Sequence, residues 1–195
     1  SMKPKIDTEQ YKEKVAEWLK VNKIGKYILI QLSGGQAQMG FNPNNQYTNI
    51  NPNRNYPHFL AQQVVKMLLE EYKDTTIINC VLPNEPHYQG PIRCDLHWTQ
   101  IHEMLKGAEG FISIDSCLQH FSASAEKHGV VLWGSTRWTQ FGYSHNKNLQ
   151  FHMKDDWDET KYVESDHRNV MVETKLIIDS FKKLDKDKPV ACATK

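Results

Sequence analysis

The residues best placed to do chemistry are Asp115, Ser116 and His120, with Cys117 between them. The apolar run from Phe111 to Ile114 ends abruptly in Asp115-Ser116, and His120 follows one helical turn later. A second apolar run, Val130 to Trp133, ends in Gly134-Ser135-Thr136. This pattern predicts strand, polar turn, helix, strand and glycine loop. Such an order brings polar side chains and the N–H groups of a helix start to the carboxyl edge of a sheet. Ligands bind at that edge in open α/β folds, and a helix N-terminus favours phosphate and other anions.

Each of these residues has a plain structural alternative. Asp115 or Ser116 can simply cap the helix. Otherwise Ser116 and the backbone N–H groups around Cys117 hold a phosphate, while Asp115 orders the loop or accepts from a sugar hydroxyl. His120 shares a helix face with Ser116 and is either a partly buried histidine or a binding residue. A Ser–His hydrolase is a further reading, although the Gly-x-Ser-x-Gly elbow is absent.

Other candidates lie at the ends of earlier strands. Ser33-Gly34-Gly35 follows the first apolar run and permits close backbone approach to a ligand, or makes a simple turn. It is neither the dinucleotide fingerprint nor a P-loop. Arg54, just before Tyr56-Pro57, can place a guanidinium at the same edge or stay solvated. Glu85 follows the second strand, where an acid often binds ribose hydroxyls; the alternative is a surface turn. His97 and His102 do not share a helix face, and no metal-binding histidine pair occurs, so no metal is expected.

The elements that must position these groups are legible as periodicity. Strands are predicted over 27–32, 75–82, 111–114 and 130–133, with a short fifth over 148–152. Helices are predicted over 9–22, 57–72 (with Pro57 in the first turn), 98–107, 117–127 and 167–184. A polar loop is expected up to about Leu96, a long Asn-rich loop over 36–55 and an acidic loop over 154–166. Apolar strands alternating with amphipathic helices predict an α/β chain. The expected fold is a single Rossmann-like, doubly wound domain with a mainly parallel sheet.

Bulk composition narrows the partners. The chain has 195 residues, 39% of them hydrophobic, and a net charge of +1. One domain with a real core is expected, and neither nucleic-acid binding nor membrane insertion. Cys80, Cys94, Cys117 and Cys192 fit no zinc module, and Cys80 and Cys117 read as small core residues. With no secretory signal or long apolar span, a cytoplasmic location is expected.

Taken in order, these blocks resemble a known family. The Gly-rich loop, Asn55-Tyr56-Pro57, Glu85, the stretch from Leu105 to His120 and the Trp133-Gly134-Ser135-Thr136 loop look like one half of a two-domain enzyme. That half is the C-terminal, donor-binding part of heptosyltransferase-type glycosyltransferases, family 9, of GT-B architecture. The resemblance covers roughly residues 27–150. It implies a nucleotide-diphosphate sugar as ligand, an ADP-sugar first, bound within a domain spanning 27–152. Residues 1–26 would pack on this domain as a helix, and 153–195 would add the acidic loop, last helix and tail.

The resemblance also implies roles. Asp115, Ser116 and His120 would lie near the sugar and diphosphate, joined by backbone groups at Cys117 and Leu118. Arg54 would meet the diphosphate, Glu85 the nucleoside, and Ser33 and Gly34 the phosphate side. No cofactor is required, because Arg54 and the helix N–H groups can neutralise the leaving diphosphate. Two departures stand out. Cys117 replaces the family's usual glycine, and the family's acceptor site and catalytic base lie on a half that is not present here. No catalytic residue is therefore assigned. The chain is expected to be a donor-binding subunit or minimal glycosyltransferase whose cleft is completed by a partner chain or a second copy. The alternatives are a non-catalytic nucleotide or nucleotide-sugar module (a sensor, sequestering or assembly protein), or a small hydrolase using Ser116–His120 or Asp115.

Overall fold

The computed structural model describes residues 6–34, 55–81, 85, 87–134, 136–150, 172–185 and 190. Six strands form one sheet in the order β3-β2-β1-β4-β5-β6, and every neighbouring pair is parallel. They are β1 (Tyr27–Gln31), β2 (Thr76–Cys80), β3 (Ile92–Cys94), β4 (Gly110–Ile114), β5 (Gly129–Trp133) and β6 (Lys147–Gln150). The helices are α1 (Lys12–Val21), α2 (His58–Glu71), α3 (Trp98–Gly107), α4 (Cys117–Ser124), the short α5 (Trp138–Phe141) and α6 (Thr174–Lys182).

The central strands read as unbroken apolar runs because both of their faces are buried. On one face Ile28, Ile30, Ile112, Ile114, Val130 and Leu132 pack with Val64, Val65 and Leu68 of α2 and with Ile177, Ile178 and Phe181 of α6. On the other, Leu29, Ile78, Phe111, Val131 and Trp133 meet Val15 of α1, Met104 and Leu105 of α3, and Leu118 of α4. The period-two alternation of a strand sorts neighbouring residues into the two layers. Gly129 is required where β5 begins: a Cβ there would sit 2.4 Å from the Phe111 ring.

A buried polar clasp joins the first residues to the helical layer. His102 of α3 is fully buried, with Nδ1 3.1 Å from Thr8 Oγ1 and Nε2 2.7 Å from Ser124 Oγ. Thr8 Oγ1 donates to Glu103 Oε2 at 2.5 Å and accepts from Lys106 Nζ at 3.0 Å. Each hydroxyl on the ring also has a second acceptor: Glu103 Oε2 for Thr8, and Phe121 O at 3.0 Å for Ser124. Burial, then the Lys106 charge, lowers the His102 pKa against an opposing pull from Glu103. Burial would raise Glu103, but hydrogen bonds from Lys106 and Thr8 outweigh it, and its pKa falls.

The elements differ from the sequence reading in particular places. β3 lies inside the stretch expected to be polar loop; it is a three-residue edge strand registered on β2 through Ile78↔Ile92 and Cys80↔Cys94. The turn α5 also had no counterpart. Pro57 caps α2 with extended ψ instead of lying in its first turn. α4 stops at Ser124, shortly before Glu126 takes a positive φ of 53°, so the chain leaves the helix earlier than 127. Residues 36–54 of the Asn-rich loop, 151–152 of the last strand, 154–166 and 167–171 lie outside the described residues. No helix among the described residues is long and apolar enough to cross a membrane.

Candidate functional site

The strand order reverses between β1 and β4, which are adjacent and registered through Gln31↔Ser113. Crossovers from these two strands diverge, so a crevice is expected beyond their carboxyl ends. Gln31–Gly34 and Asp115–Cys117 stand there side by side.

Gln31 is the strut between them. It is only 2% exposed, and its Oε1 accepts a 2.6 Å hydrogen bond from Ser116 Oγ. The same oxygen accepts from the Cys117 thiol at 3.9 Å. Its Nε2 lies 3.2 Å from where a Cβ on Gly34 would be, so the glycine gives the amide room. Gly34 N donates to Asn55 Oδ1 at 3.0 Å, and Tyr56 N donates to Leu32 O at 3.1 Å. These two bonds stitch the start of α2 to the end of β1. Arg54, the residue before Asn55, lies outside the described residues, as does Gly35.

Ser116 does not cap α4. It holds the N-cap position in extended conformation, yet its side chain makes no cap hydrogen bond and is committed to Gln31 instead. The Ser–His hydrolase reading loses its activating contact by the same bond. The plain-cap alternative for Ser116 is therefore set aside.

Cys117 is not the core residue expected from its neighbours; it is half-buried at the first position of α4. Burial pushes its thiol pKa up to about 11, against weaker lowering by Gln31 and by the N–H groups of Cys117 and Leu118, and with a further raise from Glu85. The group is a neutral thiol at physiological pH.

Asp115 joins the helix to the glycine loop. Oδ1 accepts from Gln119 Nε2 at 3.3 Å and Oδ2 from Thr136 Oγ1 at 3.0 Å. His120 Nε2 stands 3.9 Å from Asp115 Oδ1, and 48% of its side chain is exposed. The His120 ring also meets Tyr143 edge-on at 6.0 Å between centroids. Asp115 thus orders the loop, while His120 presents an imidazole to solvent beside it.

Glu85 is buried, not a surface turn. It follows β2, and its charge acts on both Tyr88 and Cys117. Burial foremost raises the Tyr88 hydroxyl pKa, with Ser33 beside it pulling the other way and Glu85 adding to the rise. Tyr88 stacks on His58 at 5.2 Å and 26°. Ser33 Oγ meets hydrogen-bond geometry with no described residue.

The fold therefore gathers Ser33, Gly34, Glu85, Asp115, Ser116, Cys117 and His120 along one edge. Sequence reasoning missed Gln31, Asn55 and Tyr88. A lone carboxamide inside an apolar strand was the available signal for Gln31, since a buried amide must find partners. Among the described residues no group of three or more His, Cys, Asp or Glu is placed to hold a metal. A separate cavity of about 510 Å³ runs between β6 and α6, lined by His145, Lys147, Leu149, Ser180 and Lys183 among others. It lies beyond β5 from the switch point and contains none of the candidate residues.

No family model matches the sequence, and none of the curated proteins matches it. The fold, however, is similar to solved structures. One is a glycosyl transferase family 9 protein from Veillonella parvula DSM 2008, with a TM-score of 0.69 at 14% identity, matching 90% of this chain and 51% of that one. Another is E. coli ADP-heptose lps heptosyltransferase II, with a TM-score of 0.55 at 14% identity, matching 81% of this chain and 50% of that one. The chain is thus a single α/β domain with the fold of half of a GT-B heptosyltransferase-type enzyme, and it spans about half the length of these solved proteins.

Proposed function

We propose that this protein binds a nucleotide-diphosphate sugar, an ADP-sugar first, at the carboxyl ends of β1, β2 and β4, and serves as the donor-binding part of a glycosyltransferase. The observation that carries this is the convergence of Glu85, Gln31-held Ser116 and the start of α4 at the strand-order reversal. In this arrangement Glu85 accepts from the nucleoside's ribose hydroxyls. The amides of Cys117 and Leu118 face the diphosphate, with Ser33 and Gly34 on the opposite wall and Arg54 supplying positive charge. Asp115 and His120 stand toward the sugar. No metal is needed when helix N–H groups and a guanidinium neutralise the leaving diphosphate.

Transfer also needs a base for the acceptor hydroxyl and a closed, water-excluding cleft. A partner chain or a second copy of this one would complete that cleft. A non-catalytic nucleotide-sugar module is the second reading; the half-buried neutral thiol at the first position of α4 favours it.

Calorimetry with ADP- and UDP-sugars on wild type and His120→Ala tests the site. Wild type is expected to bind at least one of them, ADP-sugars most tightly, and His120→Ala to bind more weakly. Absence of binding to every nucleotide sugar would reject both readings. Binding with transfer of the sugar to an acceptor in cell extract supports the transferase, whereas binding without transfer to any acceptor supports the module.

A further inference from the structure

Cys80 and Cys94 are the last residues of β2 and β3, and the register of these parallel strands sets them directly opposite each other. Facing residues of paired strands point to the same side of the sheet. Both side chains accordingly lie buried in the layer shared with α3, and both are free thiols. Neighbouring strands run about 4.8 Å apart, inside the roughly 4.4–6.8 Å that separates the Cα atoms of a disulfide. The Cβ atoms of a disulfide sit about 3.5–4.5 Å apart, so only a slight closure is needed. β3 has three residues and, among the described residues, pairs only with β2. A short edge strand is the part of the sheet best able to give.

We propose that Cys80 and Cys94 are a redox site: a small-molecule peroxide joins them in a disulfide, and a thiol reductant reopens it. The Cys94 sulfur first attacks one peroxide oxygen, which breaks the O–O bond and yields a sulfenic acid and one water. The Cys80 sulfur then attacks the Cys94 sulfur and displaces the sulfenic oxygen as a second water. The pair loses two hydrogens and two electrons, and the peroxide takes them up. Cys94 suits the attacking role: a hydrogen bond from Cys80 foremost lowers its pKa against burial, with help from the Leu96 N–H. Cys117, by contrast, stands on α4 and turns its thiol to Gln31. Access comes from the edge, because a short edge strand opens locally at less cost than the centre of a sheet. The bond closes residues 80–94 into a loop that carries Glu85 and Tyr88. The inference holds whichever ligand the candidate site takes.

The test treats the folded, reduced protein with hydrogen peroxide, blocks remaining thiols with iodoacetamide and maps tryptic peptides by mass spectrometry. Cleavage after Lys73, Arg93 and Lys106 puts Cys80 and Cys94 on separate peptides, 74–93 and 94–106. These are expected to appear joined, and to separate with dithiothreitol. The thermal unfolding midpoint of the oxidised protein is expected to rise by about 5–10 °C, because the link restricts the unfolded chain. Cys94→Ala should show no such rise. Peptides 74–93 and 94–106 still unjoined after peroxide overturn the proposal. So does a link from Cys80 to Cys117 in place of Cys94, or an oxidised protein that unfolds at a lower temperature than the reduced one. The peptide map uses wild type alone, so it decides even if Cys94→Ala does not fold.

Discussion

At the scale of single residues, the site is organised by Gln31, which no motif marks. Its Oε1 is the shared acceptor for Ser116 and Cys117, and it connects two strand ends that are far apart in the sequence. Replacing it with leucine keeps the volume roughly constant but leaves the buried Ser116 hydroxyl without its acceptor. A loss of about 1–3 kcal/mol is expected, the cost of orphaning a buried polar group. Urea denaturation of Gln31→Leu measures it directly. The same variant should lower affinity for ADP-sugars, because the start of α4 loses its tether to β1. Asp115, Ser116 and His120 were legible from sequence because an apolar run stopped short in polar residues. The direction of the Ser116 side chain was not, since capping and a bond to a neighbouring strand use the same residue type. Glu85 was legible as an acid at a strand end but not as a buried one, since burial is set by the tertiary fold and not by local pattern.

At the scale of elements, α3 carries the Thr8 clasp through a buried histidine. Folding lowers the His102 pKa below its value in the unfolded chain. The unfolded chain therefore takes up the proton first as pH falls, and acid favours unfolding. This contribution is complete above the unfolded histidine value of about 6.5 and is lost as pH drops toward the lowered folded value. His58 and His87 are lowered by burial as well and act in the same direction. Denaturant midpoints measured between pH 7.5 and 5 should fall with acid in wild type. His102→Gln should be about 1–2 kcal/mol less stable at neutral pH, having lost buried hydrogen bonds, and should show a shallower acid slope. An unchanged slope would count against a His102 ring buried in its neutral form. The long elements were readable because their periodicity spans several turns or a full strand. β3 was not: three residues, Ile92, Arg93 and Cys94, carry no period of their own, and their pairing is imposed by β2. α5, a single turn of four residues, fails for the same reason.

At the scale of the whole molecule, the sheet is covered on both faces, and its carboxyl edge carries the polar convergence. Exposed apolar side chains stand near that edge: Phe59 in the first turn of α2, and Trp138 and Phe141 on α5 after β5. The match to half of longer GT-B proteins agrees with the architecture predicted from alternating strands and helices. The strand order itself was beyond the sequence, because parallel pairing depends on crossovers and not on local pattern. It is that order, with its reversal between β1 and β4, that turns separate polar turns into one candidate site. The most direct measurement is a crystal structure of the protein with ADP-heptose. The account predicts the diphosphate at the start of α4, with ribose hydroxyls on Glu85 and the sugar toward Asp115 and His120. Electron density in the cavity between β6 and α6 alone, with the β1–β4 edge empty, would contradict it.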